Sequence, residues 1–221
     1  MATSHQITIP KTAHYSTIGT AGKHIKHLWI ACHGYGQLAK KFINKFDAVS
    51  DENTFILAPE GLSRFYFGGS FTGSVASSWM TSGDRLVEIE DYCNWMDTIY
   101  DLFVPQMSDD VKITILGFSQ GVATIFRWLH ARQRVCDNVV IWAGRIPEDI
   151  TYLHLKDYFS TKKIIYIYGI NDPFIKEKMI KEQRQLAKEQ ALSFQMMTFE
   201  GKHVMDRPAL KRVKSALNNI D

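Results

Sequence analysis

The sequence predicts an α/β fold: a mostly parallel sheet with helices on both faces and an antiparallel start. Three observations predict it. Short apolar runs of strand length recur along the chain, at 27–32, 54–58, 111–116, 138–142, 163–168 and 193–199. Segments with helical spacing separate most of them, the alternation that builds parallel strands joined by crossover helices. Most of these runs are apolar throughout, as strands covered on both faces are.

Length and composition narrow the class. The chain has 221 residues, 45% hydrophobic and 22% charged, with a formal charge of +3. That is enough chain for a buried core, and one domain over 1–221 is expected. The charge is too mild, and too evenly interspersed with acids, for a nucleic-acid or membrane-surface binder. The first ten residues lack the apolar stretch of a signal peptide, and no apolar run is long enough to span a bilayer. Cys32, Cys93 and Cys136 are widely spaced and show no C-x-x-C pairing. They read as reduced thiols of a cytoplasmic protein. His24 and His27 lie in a polar turn with no helix to align them, so no metal site is expected.

In order, Gln6-Ile-Thr-Ile9 alternates and predicts a strand ended by Pro10, with 14–18 as its hairpin partner. The run 27–32 predicts a buried strand entering the glycine-rich corner His33-Gly34-Tyr35-Gly36. Leu38, Phe42 and Phe46 share one helical face, and 54–58 is the next buried strand. Residues 62–83 predict a long loop: Phe65, Phe67, Phe71 and Trp79 lie among glycines and serines without a period. Such a loop is either functional or pinned to the core by its aromatics. Ser82 or Asp84 is placed to cap a helix whose apolar face is Leu86, Ile89, Cys93, Met96 and Phe103. Beyond 111–116, a helix with Val122, Ile125, Phe126 and Leu129 inward precedes the strand 138–142. The strand 163–168, a charged helix to about 190 and the strand 193–199 follow. A helix begun by Asp206 and Pro208, with Leu210, Val213 and Leu217 inward, closes the chain.

The chemistry centres on Gly117-Phe-Ser119-Gln-Gly121, between a predicted strand and a predicted helix. This is the context of a G-x-S-x-G nucleophile elbow, a sharp turn that lifts the serine hydroxyl clear of the sheet. The glycines are required because a Cβ at either place would collide with the neighbouring strand or helix. A turn whose glycines serve packing alone is the competing reading.

Reactive groups in such a sheet gather where the strands end. Asp172 and His203 stand just beyond the predicted strands 163–168 and 193–199, giving the order Ser, Asp, His of an α/β-hydrolase. His203 is the expected base for Ser119 and Asp172 the group that orients it. Asp172 followed by Pro173 also suits a helix N-cap. Backbone N–H groups of Gln120 and Tyr35 are the expected oxyanion donors. His33 is expected to hold the corner loop by hydrogen bonds.

These stretches together resemble the phospholipase/carboxylesterase family of small α/β-hydrolases, which includes acyl-protein thioesterases. The likeness rests on H-G-x-G at 33–36, G-F-S-Q-G at 117–121, G-x-x-D at 169–172 and G-x-H at 201–203. The segment 143–147 and the region around Trp79 also resemble it. Gln37 stands where an aspartate is common in that family, and Val122 where a further glycine is usual. The resemblance implies a serine esterase or thioesterase acting on small acyl substrates, without a cofactor. Only residues 144–162 are available for a cap, so no substantial cap domain is expected, and Phe65, Phe67 and Trp79 are the candidate walls of an acyl pocket. A non-catalytic scaffold that binds a ligand or partner, and a small serine amidase or peptidase, are the alternatives.

Overall fold

In the computed structural model, which describes residues 2–69 and 72–218, the first strands are β1 (Tyr15–Ile18) and β2 (His27–Cys32). Helix α1 (Ala39–Phe42) tightens into a 3-10 segment over Ile43–Ala48 and leads to β3 (Thr54–Pro59). A hairpin of β4 (Ser63–Tyr66) and β5 (Val75–Ser78) comes next, then the long helix α2 (Arg85–Phe103). Strand and helix then alternate through β6 (Lys112–Phe118), α3 (Gln120–Arg132), β7 (Asn138–Trp142) and α4 (Lys156–Ser160). The chain continues with β8 (Lys163–Gly169), α5 (Glu177–Glu189), β9 (Gln195–Phe199) and α6 (Arg207–Asn218).

Seven strands form one sheet in the order β1-β3-β2-β6-β7-β8-β9. Only β1 runs antiparallel, against β3. The parallel registers set Cys32 beside Gly117, Phe118 beside Trp142 and Gly169 beside Phe199. The residues that follow these strands therefore emerge along one edge of the sheet, where the chemistry was expected.

Both faces of the sheet are covered. Leu28, Ile30 and Cys32 of β2 face a core shared with α2, α3 and α5, whereas Trp29 and Ala31 face α1 and α6 through Phe42, Phe46, Leu210 and Val213. Alternation along a strand thus feeds two cores at once, which is why these runs are apolar throughout. The connection from β7 to β8 carries only a 3-10 turn (Leu153–Leu155) and the five residues of α4, with no cap domain.

Three expectations need correction. Gln6–Ile9 does not form a strand, and 14–18 is not the partner of a hairpin: β1 takes the edge position beside β3. The N-terminal segment lies instead across α2, with Ile7 and Ile9 exposed and the Lys11 ammonium on the Leu62 carbonyl. The span 62–83 is not one loop, because β4 and β5 pair within it; Phe71 lies outside the described residues. Leu86 is exposed rather than inward, and α2 buries Tyr92, Cys93, Met96, Ile99 and Tyr100. Asp84 does occupy the N-cap position of α2, but its side chain makes no capping bond.

Candidate active site

The elbow forms as its sequence requires. Ser119 stands between β6 and α3 with φ 53° and ψ −114°, a left-handed conformation that is costly for a residue with a Cβ. Its N–H donates to the Trp142 carbonyl at 2.9 Å, which ties the turn to the end of β7. A Cβ on Gly117 would press into the Gly121 carbonyl of α3, and one on Gly121 into the Cys32 carbonyl of β2. Close approach of backbone to backbone, not the turn alone, demands both glycines.

Two loops meet at the ends of β8 and β9. Ile170 N–H donates to the Phe199 carbonyl and Asn171 N–H to the Gly201 carbonyl, each at 3.0 Å. This stitching brings Asp172 to His203: Nδ1 of the imidazole lies 2.6 Å from Oδ2 of the carboxylate. The Asp172 side chain is fully buried while His203 keeps 19% exposure, so the carboxylate is shielded and the ring reaches outward. The other carboxylate oxygen accepts the Phe174 N–H at 2.8 Å. Asp172 therefore closes a local turn and is not the N-cap of α5, a position held by Lys176.

Aromatic rings hold His203 in place. Phe118 lies against its ring at 4.9 Å and Phe174 meets it edge-on, also at 4.9 Å. Nothing in the spacing of Phe118 or Phe174 announces this, although Phe118 adjoins Ser119 and Phe174 stands two residues beyond Asp172.

The corner after β2 is built around the fully buried His33. Its Nε2 accepts the Gly61 N–H at 3.0 Å, which leaves the proton on Nδ1, 2.8 Å from the Gly34 carbonyl. Burial holds the His33 pKa below its ordinary value, so the ring is neutral. The expected scaffolding role fits these contacts. In the corner, the Gly34 N–H is taken by Gln37 Oε1 at 2.9 Å and the Gly36 N–H by the Ser77 carbonyl at 2.9 Å. Among the described residues no protein acceptor takes the Tyr35 N–H. The Gln120 N–H, at the first turn of α3, has no intrahelical partner by geometry. A Cβ on Gly34 would lie 3.2 Å from that of Ser119, so the corner and the elbow are in contact.

The three candidate pocket residues separate. Phe65 and Phe67 gather about Tyr35, at ring distances of 5.2 and 6.4 Å. Phe67 lines a cavity of about 380 Å³ that also reaches His203. Trp79 is not at a pocket surface: it is 1% exposed, its indole N–H donates to the His33 carbonyl at 2.9 Å, and its ring packs beside the imidazole. The indole is a support behind the corner. A side-chain role for Gln120 went unread in the sequence. Its carboxamide donates to the Met80 carbonyl at 3.0 Å and accepts the Trp79 N–H at 3.3 Å, pinning the end of the β4–β5 hairpin to α3.

The thiols stand apart from this chemistry, since burial raises the pKa of Cys32, Cys93 and Cys136 and keeps all three protonated. Among the described residues, no cluster of three or more His, Cys, Asp or Glu is placed to hold a metal ion. Among the same residues, no helix is long and apolar enough to cross a membrane.

No family model matches the sequence, and no curated protein matches it either. Solved structures do. Acyl-protein thioesterase 2 of Zea mays superposes with a TM-score of 0.73 over 93% of this chain and 98% of that one, at 15% identity. A phospholipase/carboxylesterase from Dyadobacter fermentans gives 0.66 over 96% and 99%, at 14% identity. The carboxylesterase of Bacillus cereus gives 0.65 over 93% of each chain, at 12% identity. The chain has the α/β-hydrolase fold. At these identities the likeness concerns the path of the backbone, so any chemistry of the site rests on the residues described above.

Proposed function

We propose that this chain is a serine hydrolase that cleaves carboxylic esters or thioesters through an acyl-enzyme on Ser119. The observation that carries the reading is the Asp172–His203 contact at 2.6 Å, made by a fully buried carboxylate at the sheet edge that also presents Ser119. A buried acceptor on Nδ1 fixes the tautomer that leaves Nε2 free to take a proton.

In this reading His203 takes the Ser119 proton as the Oγ bonds to the carbonyl carbon. The negative charge that develops on the carbonyl oxygen is met by the N–H groups of Tyr35 and Gln120. His203 then gives its proton to the departing alcohol or thiol as the bond to the carbonyl carbon breaks. Water, deprotonated by the same imidazole, releases the acid from Ser119. Asp172 stabilises the imidazolium throughout. The names of the solved relatives, an acyl-protein thioesterase and carboxylesterases, agree with this reaction class. Three buried free thiols suit a reducing, cytoplasmic setting.

A fluorophosphonate probe tests the reading. Labelling of the wild type and none of Ser119→Ala is the expected result, with p-nitrophenyl acetate turnover lost in parallel. Labelling that persists in Ser119→Ala overturns the assignment of the nucleophile.

A further inference from the structure

The cavity beside His203 has an unusual charge for its chemistry. Its walls are largely apolar, with Phe42, Phe67, Val75 and Met205 among them, yet Lys41 and Lys45 also line it. They stand four residues apart on α1 and its 3-10 continuation, and so lie on neighbouring turns of one face. Among the described residues, no carboxylate lines the cavity. Among the described residues neither lysine is in an ion pair, although acids stand close by in the chain. Asp47 is taken by Arg207 at 2.6 Å, Asp51 by Lys214 at 2.6 Å, and Glu60 by Arg64 at 2.6 Å.

Lys45 acts on Asp47 only at a distance, and that carboxylate is engaged by Arg207, so two ammonium groups with no close counter-ion stand at the wall of an apolar cavity and give it a positive potential. Water screens such a field less inside a concave site than on an open surface, so an anion entering it is favoured. The cavity meets the candidate triad at His203, while Ser119 and Gln120 are not on its wall. In the serine-hydrolase reading the departing alcohol or thiol receives its proton from His203, which puts a cavity that opens at His203, away from Ser119, on the leaving-group side of the carbonyl.

Building on the serine-hydrolase reading, we propose that the substrate's leaving alcohol or thiol bears a terminal anion, a carboxylate or a phosphate, held by Lys41 and Lys45. The cavity volume of about 380 Å³ is at the small end of ligand sites, which fits a compact polar leaving group. The covalent step is unchanged: the bond from carbonyl carbon to oxygen or sulfur breaks, and the His203 proton goes to the departing atom.

The test compares three acetate esters that share an acyl group: those of γ-hydroxybutyrate, hydroxypropyl phosphate and the neutral γ-hydroxybutyramide. A charge-assisted bond of ordinary strength gives a preference of about 10-fold or more in kcat/KM for an anionic ester. The two anionic arms distinguish carboxylate from phosphate. The preference should shrink as salt is raised in the wild type, and Lys41→Gln/Lys45→Gln should bring the anionic-to-neutral ratio close to one. A ratio near one in the wild type, with the neutral ester still cleaved and Ser119 still labelled, overturns the anion proposal and leaves the hydrolase reading standing. A preference that appears instead for an anion on the acyl side, in methyl hydrogen succinate, overturns the placement. No turnover and no labelling overturns both readings.

Discussion

The indole N–H of Trp142 donates to the carbonyl of Val204 at 3.0 Å, so the last residue of β7 is fastened to the loop that carries His203. The same residue accepts the Ser119 N–H through its own carbonyl. One side chain and its backbone thereby fix the relative positions of the candidate nucleophile and base. Trp142→Phe keeps an aromatic ring in the core but deletes the indole donor and part of the ring's buried volume. It should lower kcat/KM by about 3–15-fold, the equivalent of one ordinary hydrogen bond. Stability should fall by about 1–2 kcal/mol. Steady-state kinetics beside urea unfolding of the two proteins would check this; a wild-type kcat/KM in a destabilised variant would show that the bond serves stability alone.

Asp172 holds two partners, and substitution separates them. Asp172→Asn can still accept the Phe174 N–H but can no longer fix the Nδ1–H tautomer of His203. A loss of about 10³–10⁴-fold in kcat is expected with the fold retained. Asp172→Ala should lose as much activity and about 1 kcal/mol of stability besides, through the vacated turn. Equal thermal midpoints for the two variants would count against the turn-closing role.

Acid sensitivity should centre on His33. Burial is the largest cause of its lowered pKa, opposed by the Gly34 carbonyl and by Glu60. Below about pH 6.5 the unfolded chain takes up a proton that the folded chain refuses, so stability rises with pH through this window and is lost on acidification. Unfolding free energy should be level above about pH 7.5 and fall steadily below about pH 6.5. His33→Leu removes that proton and also the acceptor for Gly61 N–H, so it should flatten the slope yet cost about 1–3 kcal/mol at neutral pH. His27 and His130, whose pKa values burial also lowers, remain to give a smaller slope. Urea midpoints across this range for both proteins decide it; a full wild-type slope in the variant removes His33 from the account.

How far the sequence could be read follows from the physics of each element. The other six strands of the main sheet were legible as apolar runs: five are buried almost throughout, and β9, at the far edge and only partly buried, still carries a short apolar stretch. Asp172 and His203 were candidates because they stand shortly beyond two such runs. The β4–β5 hairpin was hidden: its strands are four residues each and include serines, so no period of two emerges above the surrounding glycines. Gln6–Ile9 does alternate, but alternation creates a strand only where an edge is open to pair with, and β1 holds that edge. Aromatics among glycines suggest a surface, which points to Trp79 as a pocket wall, whereas the corner it supports is assembled from residues 46 positions earlier in the chain. The Gln120 clasp is equally non-local, reaching 40 positions back to Met80.

Two glycines at the site should respond differently to the same added methyl group. At Gly121 the new Cβ would meet the Cys32 carbonyl, backbone of the central strand β2, which has no rotamer to yield and is locked between β3 and β6. Gly121→Ala should therefore displace α3 from the sheet and cost about 3 kcal/mol or more. At Gly34 the Cβ would sit 3.0 Å from the Phe118 ring and 3.2 Å from the Ser119 Cβ. A ring can give by a few tenths of an ångström, so Gly34→Ala should remain folded and lose about 1 kcal/mol. The displaced ring is, however, the one that backs His203 at 4.9 Å, and the displaced Cβ belongs to the candidate nucleophile. A shift of that size at reacting groups costs rate far more than stability, and a loss of about 10²-fold in kcat/KM is expected. Thermal unfolding and ester kinetics on the two variants give the contrast, and a Gly34→Ala protein as active as the wild type would show that the corner does not bear on the reaction.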